Sequence, residues 1–362
     1  MGPPKTKGHF SVVRLSHAWF VACESREIRD RPIARVVQGV PLVLFRAEGG
    51  RPSALLDRCP HRNVPLSEGR VKEGQLECGY HGWRFAGGGA CRRVPGLCAE
   101  PEGKARTAPS YATFEQDGFV WVWSEPAGST GAEPNHAPYR PPHLEDTRYA
   151  TVRRACRVPG SVHAGAENAL DVPHTAFLHG GLFRTAKKVN EIDVVVRRFQ
   201  DRVEAEYVGE PAPKGIAARV LAPKGGVVLH FDRFLLPSIA QVEYRLGEDS
   251  HLVTTSLLTP ISDFETLLYA VVTFRLPLPH WLVRPFIQPV ALHILKQDIR
   301  MLALQTDAVR RFGGEQYANT EIDVLGPQIL RLLLQAQRGD VVPSASAEPG
   351  PPLDEHRVRM RT

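Results

Sequence analysis

The sequence predicts an α+β protein of two domains, and three observations support this prediction. Within residues 1–124, short strand-like patterns alternate with turn residues, which indicates a small all-β domain. Residues 125–147 are rich in Pro, Gly, Ser and Ala, as in a linker. Residues 148–337 combine strand and helix patterns, and successive strands before a long helix favour an antiparallel sheet packed against helices.

The individual elements follow from local patterns. In the first domain, the strand-like segments Ala34–Val37 and Val40–Phe45 flank a Gln-Gly turn, and Phe119–Trp123 alternates like a half-buried strand. In the second domain, helices are predicted near 163–179, 289–312 and 325–337, and strands near 192–199, 202–208, 227–236, 239–246, 251–259 and 267–274. The proline-rich tail, residues 338–362, is expected to be disordered.

Composition excludes several classes of function. The formal charge of +6 suits an acidic electron carrier or an anionic membrane surface as partner and establishes neither. Basic residues do not alternate with aromatic ones in a block, so a nucleic-acid partner is not expected. There is no apolar signal segment and no run of roughly 18 apolar residues, so we expect a cytoplasmic protein. The apolar segment 276–286 suits core packing, a pocket entrance or peripheral membrane contact.

A first metal site is indicated by two short motifs. Cys59 and His61 form a C-x-H pair, and after sixteen intervening residues Cys78 and His81 form a C-x-x-H pair. Two thiolates and two imidazoles suit either a tetrahedral zinc ion or a [2Fe–2S] cluster with two Cys on one iron and two His on the other. The spacing by itself leaves both possibilities open.

A second constellation lies in the predicted helix near 163–179. His174 and His179 are five residues apart, so a straight helix would turn them about 140° from each other. They can face one ion only if the helix bends or ends, which Pro173 and the Gly180-Gly181 pair allow.

Asp298 is the best candidate for a third ligand. It lies on the apolar stripe of the predicted helix 289–312, whereas Asp307 falls on the opposite face. A carboxylate on a buried stripe is costly unless a cation compensates it. Two histidines and one carboxylate form the facial triad that binds Fe(II) with open positions. Taken singly, each residue also suits an ordinary role, as a buried histidine or a salt-bridge partner.

The motifs together resemble the Rieske-type non-haem iron oxygenases, the ring-hydroxylating oxygenase alpha-subunit family. The resemblance is carried by Leu56–Arg62, by Cys78–Phe85 and by the Asn-x-x-Asp-x-x-His-x₄-His pattern of Asn168–His179. It implies an N-terminal Rieske [2Fe–2S] domain and a C-terminal helix-grip (START/Bet v1-like) catalytic domain. It also implies that the cluster is held by Cys59, His61, Cys78 and His81, and a mononuclear Fe(II) by His174, His179 and Asp298.

The resemblance further implies how electrons reach the mononuclear iron. Asp171 would link His174 to His81 of a neighbouring subunit, which makes a homotrimer the expected assembly, and Asn168 would lie close to the iron. No Gly-x-Gly-x-x-Gly fingerprint opens a strand–helix unit, so the electrons are expected from a separate NAD(P)H-dependent reductase or ferredoxin.

The substrate is predicted from weaker similarities. Residues 173–183 and 319–327 resemble bacterial members of the family that act on sterols, which suggests O₂-dependent oxidation of a hydrophobic, sterol-like polycyclic compound, for instance at a C-4 methyl group. One alternative is O-demethylation or hydroxylation of a small aromatic compound, whose pocket should carry an Arg or Lys if the substrate is an acid. Another is a Rieske electron carrier with a lipid-binding domain.

Overall fold

The computed structural model describes residues 14–129, 133–179, 190–210, 227–343 and 350–361. In their described parts these residues form two compact units, the first made of Arg14–Arg140 with Thr259–Ile261, and the second of Pro141–Leu258 with Ser262–Thr362. The Gly180-Gly181 pair, expected to stop a helix, lies outside the described residues.

The first unit is built on a six-stranded antiparallel sheet in the order β1-β10-β9-β4-β3-β2. Its strands are β1 (Trp19–Glu24), β2 (Ile33–Val37), β3 (Val40–Arg46), β4 (Pro52–Leu56), β9 (Ser110–Gln116) and β10 (Phe119–Pro126). The β2–β3 hairpin turns at Gln38 and Gly39, whose φ angles of 52° and 77° belong to the tight turn that such hairpins favour. The predicted all-β domain is therefore confirmed.

A smaller four-stranded sheet in the same unit positions the cysteine motifs. Its strands are β5 (Arg70–Lys72), β6 (Gln75–Glu77), β7 (Arg84–Phe85) and β8 (Cys91–Arg93), in sequential order. Cys59 precedes this sheet, and Cys78 follows β6 directly. Both cysteines are buried in one hydrophobic cluster with Phe45, Leu66 and Phe85, among others. The core therefore fixes the bases of both motif loops.

The second unit is dominated by an eight-stranded sheet in the order β11-β17-β16-β15-β14-β13-β12-β18. Its strands are β11 (Ala150–Pro159), β12 (Glu191–Arg198), β13 (Arg202–Val208), β14 (Val228–Leu235), β15 (Ile239–Leu246), β16 (Ser250–Ser262), β17 (Glu265–Arg275) and β18 (Asp354–Arg361). Neighbouring strands whose register is known pair antiparallel, as predicted.

Four helices accompany this sheet in the described residues: α1 (Val162–Leu170), α2 (His174–Leu178), α3 (His280–Phe312) and α4 (Gly326–Gln337). The Ser161 hydroxyl caps α1 by accepting from the Ala164 N–H at 3.1 Å. Contacts join α1 to β14, β15 and β17 as well as to α3 and α4, which places it where sheet and helices meet. None of the described helices combines the length and the apolar character needed to cross a bilayer.

The helix α3 begins nine residues before the predicted start at 289. The predicted start is therefore wrong, and the observed helix contains Pro285 and Pro289. A proline removes one backbone donor and frees the carbonyl four residues earlier. The two prolines are themselves four residues apart and exposed, so the freed carbonyls of Trp281 and Pro285 lie on one solvent-facing side and can bond water.

The predicted disorder of the C-terminal tail is wrong for residues 354–361, which form strand β18 on the edge of the sheet beside β12. The segment reads as charged, but Val358 and Met360 alternate with its arginines, and Met360 is buried. Arg359 and Arg361 pair with Asp193 and Glu191 of β12. Complementary charges on a strand 166 and 170 residues away could not be recognised from the local composition.

Candidate metal centres

The loop that begins at Cys59 is closed by two backbone hydrogen bonds. The Cys59 N–H donates to the Val64 carbonyl at 2.9 Å, and the Asn63 N–H donates to the Cys59 carbonyl at 2.8 Å. Asn63 has a φ of 60°, a left-handed conformation that asparagine tolerates better than most residues. The loop thus turns sharply and holds the intervening His61 on a short, fixed backbone.

The loop that begins at Cys78 repeats this geometry. The Cys78 N–H donates to the Trp83 carbonyl at 2.8 Å, and the Gly82 N–H donates to the Cys78 carbonyl at 3.1 Å. Gly82, four residues after its cysteine like Asn63, has a φ of 68°. A Cβ at Gly82 would also approach Pro95 to 3.2 Å, so both the backbone conformation and the limited space favour glycine at this position. Two loops of one shape therefore present the two cysteine–histidine pairs.

The four side chains of these loops lie with cysteine beside cysteine and histidine beside histidine. Burial, together with the adjacent Cys78 thiol, raises the pKa of Cys59 to about 11. The rings of His61 and His81 meet edge to face with centroids 4.5 Å apart, and His61 also stacks on Trp83 at 4.7 Å. Thiol beside thiol and imidazole beside imidazole is the distribution that a [2Fe–2S] cluster with mixed ligands requires.

Two further observations show that these loops fit a metal cluster. The Nδ1 atom of His61 is buried without a hydrogen-bond partner, although a buried polar atom normally has one. Burial disfavours the Cys59 thiolate, and a bound metal ion would supply the positive charge that stabilises it.

The second constellation is shaped by a break in the helix. α1 ends at Leu170, Asp171 is extended with φ −87° and ψ 106°, and α2 begins at His174 after Pro173. His179 leaves the helical conformation with φ −106° and ψ 30°. The helix therefore ends between the two histidines as predicted, and their rings can face one point.

Three donor atoms converge at that point. The Nε2 atoms of His174 and His179 are 3.2 Å apart, and the Oδ1 atom of Asp298 lies 3.1 Å from Nε2 of His179 and 3.7 Å from Nε2 of His174. Among the described residues, they form the one group of at least three potential metal-binding side chains gathered within 4.8 Å.

The charges and burial of these three side chains favour a bound cation. Burial raises the pKa of Asp298, against the opposing charges of His179 and His174, and its Oδ1 atom has no hydrogen-bond partner. Burial alone would lower the pKa of His174, but the neighbouring Asp171 and Asp298 raise it overall. An orphaned carboxylate oxygen facing two imidazole nitrogens fits a divalent metal ion such as Fe(II).

Comparison with known families agrees with both centres. The sequence profile of the Rieske [2Fe-2S] domain matches residues 18–111, and that of the vanillate O-demethylase oxygenase C-terminal domain matches residues 162–338. The chain belongs to the Rieske non-haem iron oxygenases. These enzymes are oxidoreductases, and their cofactors are a [2Fe–2S] cluster and a non-haem iron.

Individual relatives of this Rieske oxygenase match over part of their length. The chain is 35% identical over 166 residues to the oxygenase component of dicamba O-demethylase from Stenotrophomonas maltophilia, covering 46% of this chain and 48% of the relative. It is 31% identical over 211 residues to the vanillate O-demethylase oxygenase subunit of a Pseudomonas species, covering 55% and 57%. The aligned parts thus span about half the length of these relatives.

The fold has close counterparts among solved structures. The crystal structure of dicamba monooxygenase bound to 3,6 dichlorosalicylic acid superposes with a TM-score of 0.76 at 21% identity, covering 91% of this chain and 99% of that one. The likeness shows that the two share a fold, and the predicted α+β class is confirmed.

The remaining residues of interest divide between the iron site and the scaffold. Asp171 Oδ2 lies 3.4 Å from Nδ1 of His174, and Asn168 hydrogen-bonds Asp298, so the structure brings both into the site. His163, which is buried on α1, instead hydrogen-bonds the Gly326 carbonyl at 2.8 Å. Asp307 is exposed, on the face opposite Asp298, as expected.

One contact at the site was missed by sequence reasoning. The Oε1 atom of Gln297 lies 2.9 Å from Nδ1 of His179. The available signal was its position directly before Asp298, about 100° round the helix, but many glutamines occupy such positions without contacting a ligand.

Proposed function

We propose that the chain is the terminal oxygenase component that O-demethylates or hydroxylates a small aromatic compound, using O₂ and electrons from a separate reductase or ferredoxin. Support comes from the convergence of His174, His179 and Asp298 in a chain that also carries the cluster loops. Relatives named for the O-demethylation of dicamba and vanillate favour an aromatic substrate over the sterol-like one that we first expected. Oxidation at a sterol C-4 methyl group stays a prediction.

In this proposal, Cys59, His61, Cys78 and His81 hold the cluster, and His174, His179 and Asp298 hold the iron. When bound, the cluster supplies electrons and the iron supplies the open positions at which dioxygen is activated. For an aryl methyl ether, the balance is ether, dioxygen, two electrons and two protons in, and phenol, formaldehyde and water out. The protein residues hold the metal ligands in place, and the core buries Cys59 and Cys78 while His81 stays exposed at the tip of its loop.

The proposal also gives Asp171 a role. Its carboxylate faces Nδ1 of His174 and is 34% exposed, so it can accept a second hydrogen bond from outside. We infer that this bond comes from His81 of a neighbouring copy in a homotrimer, which would orient both rings between the two metal centres.

A cavity of about 350 Å³ adjoins Asn168 and Asp171. Its described lining includes the carboxylates of Glu167, Asp171 and Asp323, and no Arg or Lys. It does not offer the cation that an aromatic acid was expected to need. The proposal therefore covers neutral aromatic ethers as well as acids, and its test includes both.

The test is iron analysis followed by product analysis. The anaerobically purified chain should hold about three irons, two in the cluster and one mononuclear. With a reductase and O₂, aromatic methyl ethers should yield formaldehyde and the phenol, measured by mass spectrometry. About two irons and no product would indicate an electron carrier, and oxidation of sterols alone would restore the sterol hypothesis.

Replacing Asp171 tests its proposed role. Asp171→Asn should leave cluster and iron content unchanged but slow product formation by about 10–100-fold, because the amide orients the two imidazole rings less well. Asp307→Asn, on the exposed face of α3, is the matched control and should turn over like the unmodified chain. Equal rates for the two variants would contradict the role of Asp171.

A further inference from the structure

Gln297 makes a contact that neither the mechanism above nor the family resemblance explains. Its Oε1 atom lies 2.9 Å from Nδ1 of His179, whose side chain is only 2% exposed. Gln297 also directly precedes Asp298 on α3. Two consecutive residues of one helix therefore approach the metal site, one as carboxylate and one as amide.

The chemistry of this contact selects the tautomer of a neutral His179 ring. An amide oxygen only accepts hydrogen bonds, so Nδ1 must carry the proton. A neutral imidazole carries one N–H, so Nε2 keeps a free lone pair. That lone pair faces Nε2 of His174 at 3.2 Å and Oδ1 of Asp298 at 3.1 Å.

We propose that Gln297 is a positioning residue that fixes the tautomer and ring orientation of His179 and so presents Nε2 to the iron. This inference rests on the proposed iron site and adds to it. Nδ1 of His174 faces the carboxylate of Asp171, whereas Nδ1 of His179 faces a neutral amide. The neutral partner orients the ring without adding a negative charge beside the Asp298 carboxylate. Because Gln297 and Asp298 share α3, a single helix aligns both a ligand and the partner of a second ligand.

The experiment measures Fe(II) affinity in the full-length chain with its cluster intact. Gln297→Leu removes the acceptor at similar volume and should weaken binding to the mononuclear site by about 10–100-fold. Gln297→Glu keeps the acceptor and should bind within a few-fold of the unmodified chain, and the shorter Gln297→Asn should fall between the two. Gln305→Leu, two turns further along α3, is the matched control and should leave the affinity unchanged.

Co(II) titration adds a spectroscopic readout, because its visible bands report ligand geometry as well as occupancy. Unchanged affinity and spectrum in Gln297→Leu would overturn the inference, as would Gln297→Glu binding no better than Gln297→Leu. If Gln297→Leu loses its fold, seen as loss of the cluster absorbance, the Gln297→Glu and Gln297→Asn variants test the inference instead. Gln297→Glu should then bind Fe(II) more tightly than Gln297→Asn. Failure of the proposed iron site is a separate result, recognised when His174→Ala binds as much Fe(II) as the unmodified chain.

Discussion

His174→Ala should abolish product formation while leaving the absorption spectrum of the [2Fe–2S] cluster intact. The substitution removes one of three donor atoms that converge within 4.8 Å, so the two that remain cannot hold Fe(II) firmly. We expect a loss of at least about a hundredfold in turnover, equivalent to about 2.7 kcal/mol of activation free energy. The measurement combines product formation with iron content, which should fall by about one iron per chain.

His293→Ala is the matched control for this prediction. His293 lies on α3 like Asp298, but its side chain is exposed, so its removal should change neither iron content nor turnover. Product formation by His174→Ala at the rate of the control would refute the proposed role of the histidine. Loss of the cluster spectrum in the same variant would show that the substitution acts on folding and not on the iron.

Cys59→Ser should prevent the cluster from assembling and thereby stop electron supply to the iron. A serine hydroxyl is a far poorer ligand for iron than a thiolate, and Cys59 is buried at the base of its loop. We expect colourless protein with about one iron per chain and no turnover with reductase. Absorbance, iron analysis and product formation measure these effects.

Cys98→Ser provides the comparison. Cys98 is exposed and has no histidine at ligand spacing, so this variant should keep the colour, the iron and the activity. A Cys59→Ser chain that retains the visible spectrum would exclude this cysteine from the cluster. An isolated chain that is colourless before any substitution and binds zinc in both places would refute the paired iron centres altogether.

The sequence predicted features of the site where the physical signal is local. The geometry of the cluster loops depends on hydrogen bonds between residues at most five apart, so Cys59 and Cys78 were recognisable from their flanking residues. The helix break before His174 was likewise indicated by Pro173, whereas of the apolar neighbours of Asp298 Leu302 is buried and Met301 is 45% exposed.

Other features escaped because their causes lie far along the chain. β18 is held by residues of β12 some 160 positions earlier, and nothing in its own composition distinguishes it from a charged tail. The early start of α3 depends on which side of the helix faces water, since its two prolines are tolerable only where the freed carbonyls are hydrated. Gln297 acquires its role only because His179 approaches it from another element.

The amino-acid sequence by itself determined the fold class and the types of ligand, because periodicity, turn residues and metal-binding motifs act over a few neighbouring positions. Only the tertiary structure decided that His179 and Asp298, 119 residues apart, place a nitrogen and an oxygen 3.1 Å from each other. The physical reason is that many packing contacts between the sheet and the helices together set this distance. No local sequence pattern specifies those contacts, and the chemistry of an iron site depends on the distance that they set.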